Sequence, residues 1–256
     1  MTYENPYMKG QIWSELNILK TLRQRNPLVI CITNDVVRTF TANGLLAIGA
    51  SPVMSECSED LKDLILHASA LLINIGTLTP DKVNYYNDAI ALAKKYEVPI
   101  VLDPVGCHAG AYRLSVVLDL IKTGAISLLR GNQSEIKAIY DALSPDDQAD
   151  TSTTGKGVDS GQVEDSAVIA YRLARLINCP VVATGEEDYV SDGTRVFAVP
   201  HGHPIMTAVT GTGCLLGAVL AAFFSAYYPC KDRLSVGEFL AYALAYYGLA
   251  GESAVQ

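Results

Sequence analysis

The chain has 256 residues, half of them hydrophobic and 18% charged, and a formal net charge of −8. That length and apolar content suit one large α/β core, and the acidic balance argues against nucleic acid or an anionic membrane as the main partner. A phosphorylated ligand stays open, because a helix N-terminus binds phosphate inside an acidic protein.

The six cysteines, Cys31, Cys57, Cys107, Cys179, Cys214 and Cys230, make no Cys-x-x-Cys pair and no regular spacing. Buried free thiols in a reducing compartment are therefore expected rather than a disulfide framework or a zinc site. Residues 1–25 carry no signal-peptide pattern. The longest apolar stretch, residues 214–228, falls short of the ~20 residues of a membrane span and reads as a buried helix. A cytoplasmic protein is expected.

In chain order, residues 29–33 form a short β-branched run after Asn26-Pro27. Residues 40–48 have helical spacing, and Gly49-Ala50-Ser51-Pro52 turns the chain into Val53-Met54. Residues 71–74 are an apolar strand that stops at Gly76, residues 85–96 an amphipathic helix, and residues 99–103 a strand ending on Asp103. Residues 125–129 and 181–185 repeat the strand pattern. Residues 143–161 are polar and without apolar period, which predicts a long surface loop. Asp192-Gly193 between two β-prone runs predicts a hairpin. Apolar runs separated by helices describe an α/β fold with three layers, α/β/α, around a mostly parallel sheet. With no repeat and no linker, residues 1–256 are expected to form a single domain.

In open α/β sheets ligands bind beyond the carboxyl ends of the strands. The predicted strands end in Thr33-Asn34, Asn74-Ile75-Gly76-Thr77, Asp103-Pro104-Val105-Gly106, Arg130-Gly131-Asn132 and Thr184-Gly185-Glu186. Five polar or glycine ends in succession predict one polar rim. The sharpest motif is Val209-Thr210-Gly211-Thr212-Gly213-Cys214, placed before the long apolar helix. Its glycines and the following helix N-terminus suit an anion hole for a transferring phosphoryl group. A turn that lets the helix start close to the sheet would explain it equally well. It is neither a Walker A loop nor a first dinucleotide turn. Asn132 and Glu135 have capping-box spacing, which accounts for both. Arg130 at a strand end is not explained by capping, whereas a guanidinium facing a nucleotide phosphate explains it. Asp103, with Glu135, gives two carboxylates able to hold Mg²⁺ through water while phosphates complete the shell. His67, His108, His201 and His203 show no metal-binding spacing, and His201 and His203 read as part of an ordinary loop.

The motifs together resemble the hydroxyethylthiazole kinase family from about Asn26 onward. The markers are Cys31-Ile32-Thr33-Asn34, Phe40 to Gly44, Gly49 to Met54, Asn74 to Thr77, Asp103 to Gly106, Arg130-Gly131-Asn132 with Glu135, Gly155 to Ser160, Thr184-Gly185-Glu186 with Asp188-Tyr189, Gly202-His203-Pro204 and Thr210 to Cys214. The resemblance implies a ribokinase-like fold and ATP- and Mg²⁺-dependent phosphorylation of the thiazole alcohol of thiamin biosynthesis. It implies that Arg130 and Thr184 contact ATP and that Asp103 and Glu135 organise Mg²⁺. Gly211, Thr212, Gly213 and Cys214 would form the catalytic anion hole, and Met54, Gly211 and Asn34 would contact the thiazole. Cys214 stands where most ribokinase-like enzymes carry an aspartate, and its thiol is expected to have a lowered pKa. That substitution separates the chain from a hydroxymethylpyrimidine kinase and from the related nicotinamide-nucleotide hydrate lyases. The retained polar set separates it from a non-catalytic binding protein. The family further implies one more helix after residue 256 and a homotrimer, with Met54 and Asn34 of one chain facing Gly211 to Cys214 of its neighbour. A monomer is expected to expose Cys31, Val36, Val37, Phe40 and Met54. Asp35 and Arg38 depart from the expected pattern beside the substrate.

Overall fold

The computed structural model describes residues 3–4, 17–144, 160–227 and 231–255. Nine strands form one sheet: β1 (Tyr3–Glu4), β2 (Leu28–Ile32), β3 (Ser51–Val53), β4 (Ala70–Asn74), β5 (Ile100–Asp103), β6 (Leu128–Asn132), β7 (Val181–Thr184), β8 (Asp188–Ser191) and β9 (Val196–Val199), in the order β1-β9-β8-β7-β6-β5-β4-β2-β3. The pairings from β3 through β7 are parallel, and β8 and β9 turn back as the predicted antiparallel hairpin.

Helices cover both faces, as a parallel sheet requires. They are α1 (Ile18–Arg25), α2 (Arg38–Ile48), α3 (Ser58–His67), α4 (Pro80–Lys95), α5 (Ala111–Lys122), α6 (Gln133–Leu143), α7 (Ser160–Ile177), α8 (Thr212–Phe224) and α9 (Val236–Ser253). Alternation along the strands divides the core in two. Cys31, Leu72, Val101 and Leu128 pack under α1, α2, α8 and α9, while Ile32, Leu71, Leu102 and Leu129 pack under α3 to α7. From Leu215 to Phe224 every residue of α8 is buried, which is why this segment is apolar all round. Among the described residues no helix is long and apolar enough to cross a membrane.

Two boundaries differ from the sequence reading. The strand expected at residues 125–129 is Leu128–Asn132, because Arg130, Gly131 and Asn132 still pair with Val182, Ala183 and Thr184. Arg130 is therefore a buried ladder residue rather than a strand terminus. The amphipathic helix begins earlier than residue 85, at Pro80, where the Thr79 hydroxyl accepts the Lys82 amide. Of the loop expected at 143–161, residues 145–159 lie outside the described residues, as does Cys230. Cys31, Cys107 and Cys179 are buried free thiols, whereas Cys57 is exposed.

Candidate active site

The carboxyl ends of β2, β4, β5, β6 and β7 meet in one line of polar contacts. Asn34, just beyond β2, donates from Nδ2 to Asn74 Oδ1 at 2.9 Å and to Cys214 Sγ at 3.3 Å. Asn74 donates to Asp103 Oδ2 at 2.7 Å. Arg130 donates from Nη1 to Asp103 Oδ1 at 3.4 Å and from Nη2 to Thr184 at 3.0 Å. All five predicted strand ends thus contribute to one rim.

The glycine loop closes over this line. Gly211 caps α8 in a left-handed conformation, φ 93°, and no side chain caps the helix. The Thr212 amide turns back to the Val209 carbonyl at 3.4 Å, and the amides of Gly213 and Cys214 are left to an anion. The loop is tied down from outside: the Thr212 hydroxyl donates to the Met206 carbonyl at 2.8 Å, and the Tyr247 hydroxyl donates to the Thr212 carbonyl at 2.7 Å. Gly213 lies against Arg130, where an added Cβ would stand 3.3 Å from Nη2. A glycine here lets backbone and guanidinium approach one space together.

That space is a cavity of about 570 Å³ whose walls include Arg130, Thr184, Asp188, Thr212, Gly213 and Tyr247. Arg130 is only 6% exposed, and its Nε is buried without a hydrogen-bond partner. An unsatisfied buried guanidinium N–H costs free energy, and the guanidinium as a whole stands at the cavity wall. Sequence reasoning missed several wall residues. His201 and His203, read as ordinary loop, also line the cavity, and His201 Nδ1 lies 3.1 Å from Glu252 Oε1. Tyr247 looked like a core aromatic at helical spacing; it does pack against the core, partly buried, but it also lines the cavity and its hydroxyl ties down the loop. The carboxyl of Asp188 is pushed up to about 6 by burial.

Asp103 is fully buried, and its carboxyl is pushed up to about 7, first by desolvation and then by Glu135, against the opposing pull of Arg130. Glu135 Oε1 accepts the Gly106 amide at 2.8 Å and Oε2 the Asn132 amide at 2.7 Å, completing the predicted capping box. Among the described residues no group of three His, Cys, Asp or Glu is placed to hold a metal ion. Two carboxylates already engaged by protein donors do not make an inner coordination shell. Asp103 is 0% and Glu135 5% exposed, so an ion whose direct ligands are phosphate oxygens and water would lie in front of them, outside their own hydrogen bonds.

The raised Asp103 value carries a stability consequence. A carboxyl whose folded pKa lies above its unfolded value near 3.8 binds its proton more tightly when folded. Its contribution is intact below the unfolded value and is lost as pH rises through about 7. Thermal melting of the ligand-free protein should therefore fall between pH 5 and about 8, and Asp103→Asn should flatten that slope. Equal slopes in the two proteins would refute it.

Cys214 departs from expectation. Its thiol is raised, not lowered: burial and the neighbouring Asp103 charge outweigh the hydrogen bonds from Asn74 and Asn34 and the pull of Arg130. The sequence placed no negative charge nearby, but the fold brings Asp103 there. Asn34 also contacts Cys214 within one chain, not across a subunit boundary. Cys31 and Val37 are buried at 2% exposure, while Val36 is exposed and Phe40 partly so. Val37 is held by Gly211, since a Cβ there would meet Val37 Cγ1 at 2.5 Å. Met54 is half-buried, and its carbonyl accepts Arg38 Nη2 at 3.4 Å beside the start of α2. Asp35 and Arg38 do not point free charge at the site. Asp35 pairs with Lys82 at 3.2 Å, and Arg38 with Glu56 at 3.0 Å.

Comparison with known proteins agrees with this geometry. The profile of the hydroxyethylthiazole kinase family matches residues 19–256. The chain belongs to the hydroxyethylthiazole kinase family. A hydroxyethylthiazole kinase of Streptococcus agalactiae serotype Ia is 51% identical over 236 residues, which is 92% of this chain and 87% of that protein. The solved structure of the hydroxyethylthiazole kinase protein from Pyrococcus horikoshii OT3 superposes with a TM-score of 0.80 at 38% identity, covering 93% of this chain and 84% of that one. A ribokinase-like superfamily protein from Enterococcus faecalis V583, 16% identical, superposes at 0.61 over 93% of this chain and 81% of that one, which shows the ribokinase-like fold.

Proposed function

We propose that this member of the hydroxyethylthiazole kinase family transfers the γ-phosphoryl group of ATP to the hydroxyl of 4-methyl-5-(2-hydroxyethyl)thiazole, in thiamin salvage. The observation that carries the reading is the approach of the Arg130 Nη atoms to Gly213 in the uncapped first turn of α8. Two kinds of anion-seeking donor face one cavity large enough for a nucleotide.

In this reading Arg130 and Thr184 hold the ATP phosphates, and the loop from Gly211 to Cys214 receives the transferring group. Asn34, Met54 and Gly211 contact the thiazole. Asp103 and Glu135 would stand behind a Mg²⁺ ion held by phosphates and water, which would neutralise phosphate charge. Cys214 stands beside the acceptor as a neutral thiol. Phosphoryl transfer through a loose transition state asks little of a base, so Cys214→Ala should lower kcat by only about tenfold and Cys214→Asp should keep or raise it. An inactive but folded Cys214→Asp enzyme would contradict that role.

The reading takes residues 1–256 as one catalytic domain working in the cytoplasm. It also includes a cyclic homotrimer. Val36, Phe40, Ile205 and Val209, exposed near the loop, form an apolar surface suited to a partner. Met54 of one chain then faces the loop of its neighbour, while Asn34 serves its own. Light scattering reporting a fully active monomer would dismiss the trimer. The reaction itself is tested by coupled ADP release with the thiazole alcohol, with hydroxymethylpyrimidine and without acceptor. Release well above background with the thiazole alone supports the reading, and equal rates in all three would end it.

A further inference from the structure

The line of contacts across the strand tips has a direction, and backbone amides fix it. The Gly76 N–H can only donate, so the Asn74 side-chain atom 3.0 Å from it is the oxygen. The nitrogen of Asn74 must then face Asp103 Oδ2, at 2.7 Å. The Val36 N–H fixes the oxygen of Asn34 in the same way, at 3.2 Å. Asn34 Nδ2 therefore spends its two hydrogens on Asn74 Oδ1 and on the Cys214 sulfur.

Asn74 is wholly buried and joins the two halves of this line. On one side lie Asn34 and Cys214, assigned to the acceptor. On the other lie Asp103, Arg130 and Thr184, assigned to the nucleotide. We infer that Asn74 is a positioning residue that sets the acceptor side of the site in register with the nucleotide side. A residue serving only the turn after β4 needs a single acceptor for the Gly76 amide, which Asp, Ser or Thr supplies as well. Asn74 does more: its oxygen takes a second donor from Asn34, and its nitrogen reaches Asp103. A carboxamide of this length accepts on one atom and donates from the other, a pairing a carboxylate lacks and a shorter hydroxyl cannot spread over the same gap. Misplacement of reacting groups by a fraction of an ångström to an ångström is enough to cost a large factor in rate.

The inference rests on the proposed kinase reaction and is tested on the intact chain by coupled ADP release with the thiazole and a panel of other primary alcohols. Asn74→Asp keeps the shape, the turn and the Asn34 bond but replaces the neutral donor by a second carboxyl 2.7 Å from Asp103, a pair that must either share one proton or repel. Its kcat should fall about 30–100-fold, with KM for ATP changed by less than about threefold. Asn74→Ser, whose hydroxyl can donate to Asp103, should recover part of that loss at equal or lower melting temperature. A folded Asn74→Asp enzyme with kcat within about threefold of wild type overturns the inference. So does a loss that comes with equal rises in both KM values and a matching fall in melting temperature, as a purely structural residue would give. Should Asn74→Asp not fold, Asn74→Ser carries the reading, with a loss of about tenfold expected and one under about threefold overturning it. A wild-type chain that phosphorylates another alcohol and not the thiazole refutes the proposed substrate instead, and Asn74 is then read on that alcohol.

Discussion

Arg130→Ala should lower kcat/KM by about 10²–10³-fold and still give a folded protein. The loss follows from removing one preorganised donor aimed at phosphate charge, worth roughly 3–4 kcal/mol in a water-poor site. The survival of the fold is less obvious. Arg130 is the counter-ion of the fully buried Asp103, 3.4 Å away, and stripping one member of a buried pair ordinarily costs several kcal/mol. Here the carboxyl of Asp103 already sits near 7, pushed there by burial, and Asn74 still donates to it. Without Arg130 it takes up a proton and becomes neutral, which limits the damage. The melting temperature of the variant should accordingly be nearest to wild type at low pH. Arg130→Lys should not restore the rate. A compact ammonium cannot reach Asp103, Thr184 and the cavity at once, as the planar fork does. An Arg130→Ala enzyme with unchanged kcat/KM would reduce Arg130 to a structural ion pair.

Gly211→Ala should be the most damaging single-methyl change in the loop. Gly211 adopts φ 93°, in the left-handed region, where a side chain costs roughly 1–2 kcal/mol. The new Cβ would also stand 2.5 Å from Val37 Cγ1, on a buried β-branched residue with little freedom to turn away. Overpacking of this kind adds about 1–3 kcal/mol. Together these predict a melting temperature lower by about 5–15 °C for a chain of this size. The displaced backbone carries the amides of Gly213 and Cys214 with it, so kcat should fall as well. Gly110→Ala serves as the control: its φ of −163° is ordinary extended backbone, and nothing lies within 4 Å of the new methyl. Similar melting temperatures for the two variants would mean that the loop relaxes freely.

Much of this was legible in the chain. Buried parallel strands are apolar on both faces, so β4 and β5 declare themselves, and their polar tips point to the rim from the sequence alone. The capping box at Asn132 and Glu135 and the hairpin at Asp192-Gly193 are local chemistry, read from a few neighbouring residues. What could not be read depends on distance in space. Arg130 looked like a strand end because a cation rarely continues a buried ladder, and only Asp103 on the next strand makes that possible. The raised thiol of Cys214 is set by the same Asp103, far away in sequence. Asn74 appeared only as one letter in a motif, since its importance lies in bonds to residues 40 and 29 positions away. His201 and Tyr247 reach the cavity through a loop and a helix face whose direction no periodicity reveals.

Phosphoryl transfer to the thiazole side arm is read from its product. The purified chain is incubated with ATP, Mg²⁺ and 4-methyl-5-(2-hydroxyethyl)thiazole, and the thiazole is followed by mass spectrometry and ³¹P NMR. Conversion to the phosphate monoester is expected, with one ADP formed per ester and at least about 10²-fold slower conversion by Arg130→Ala. ADP formed without thiazole phosphate, or thiazole left unmodified by an enzyme that phosphorylates a different alcohol, would contradict it.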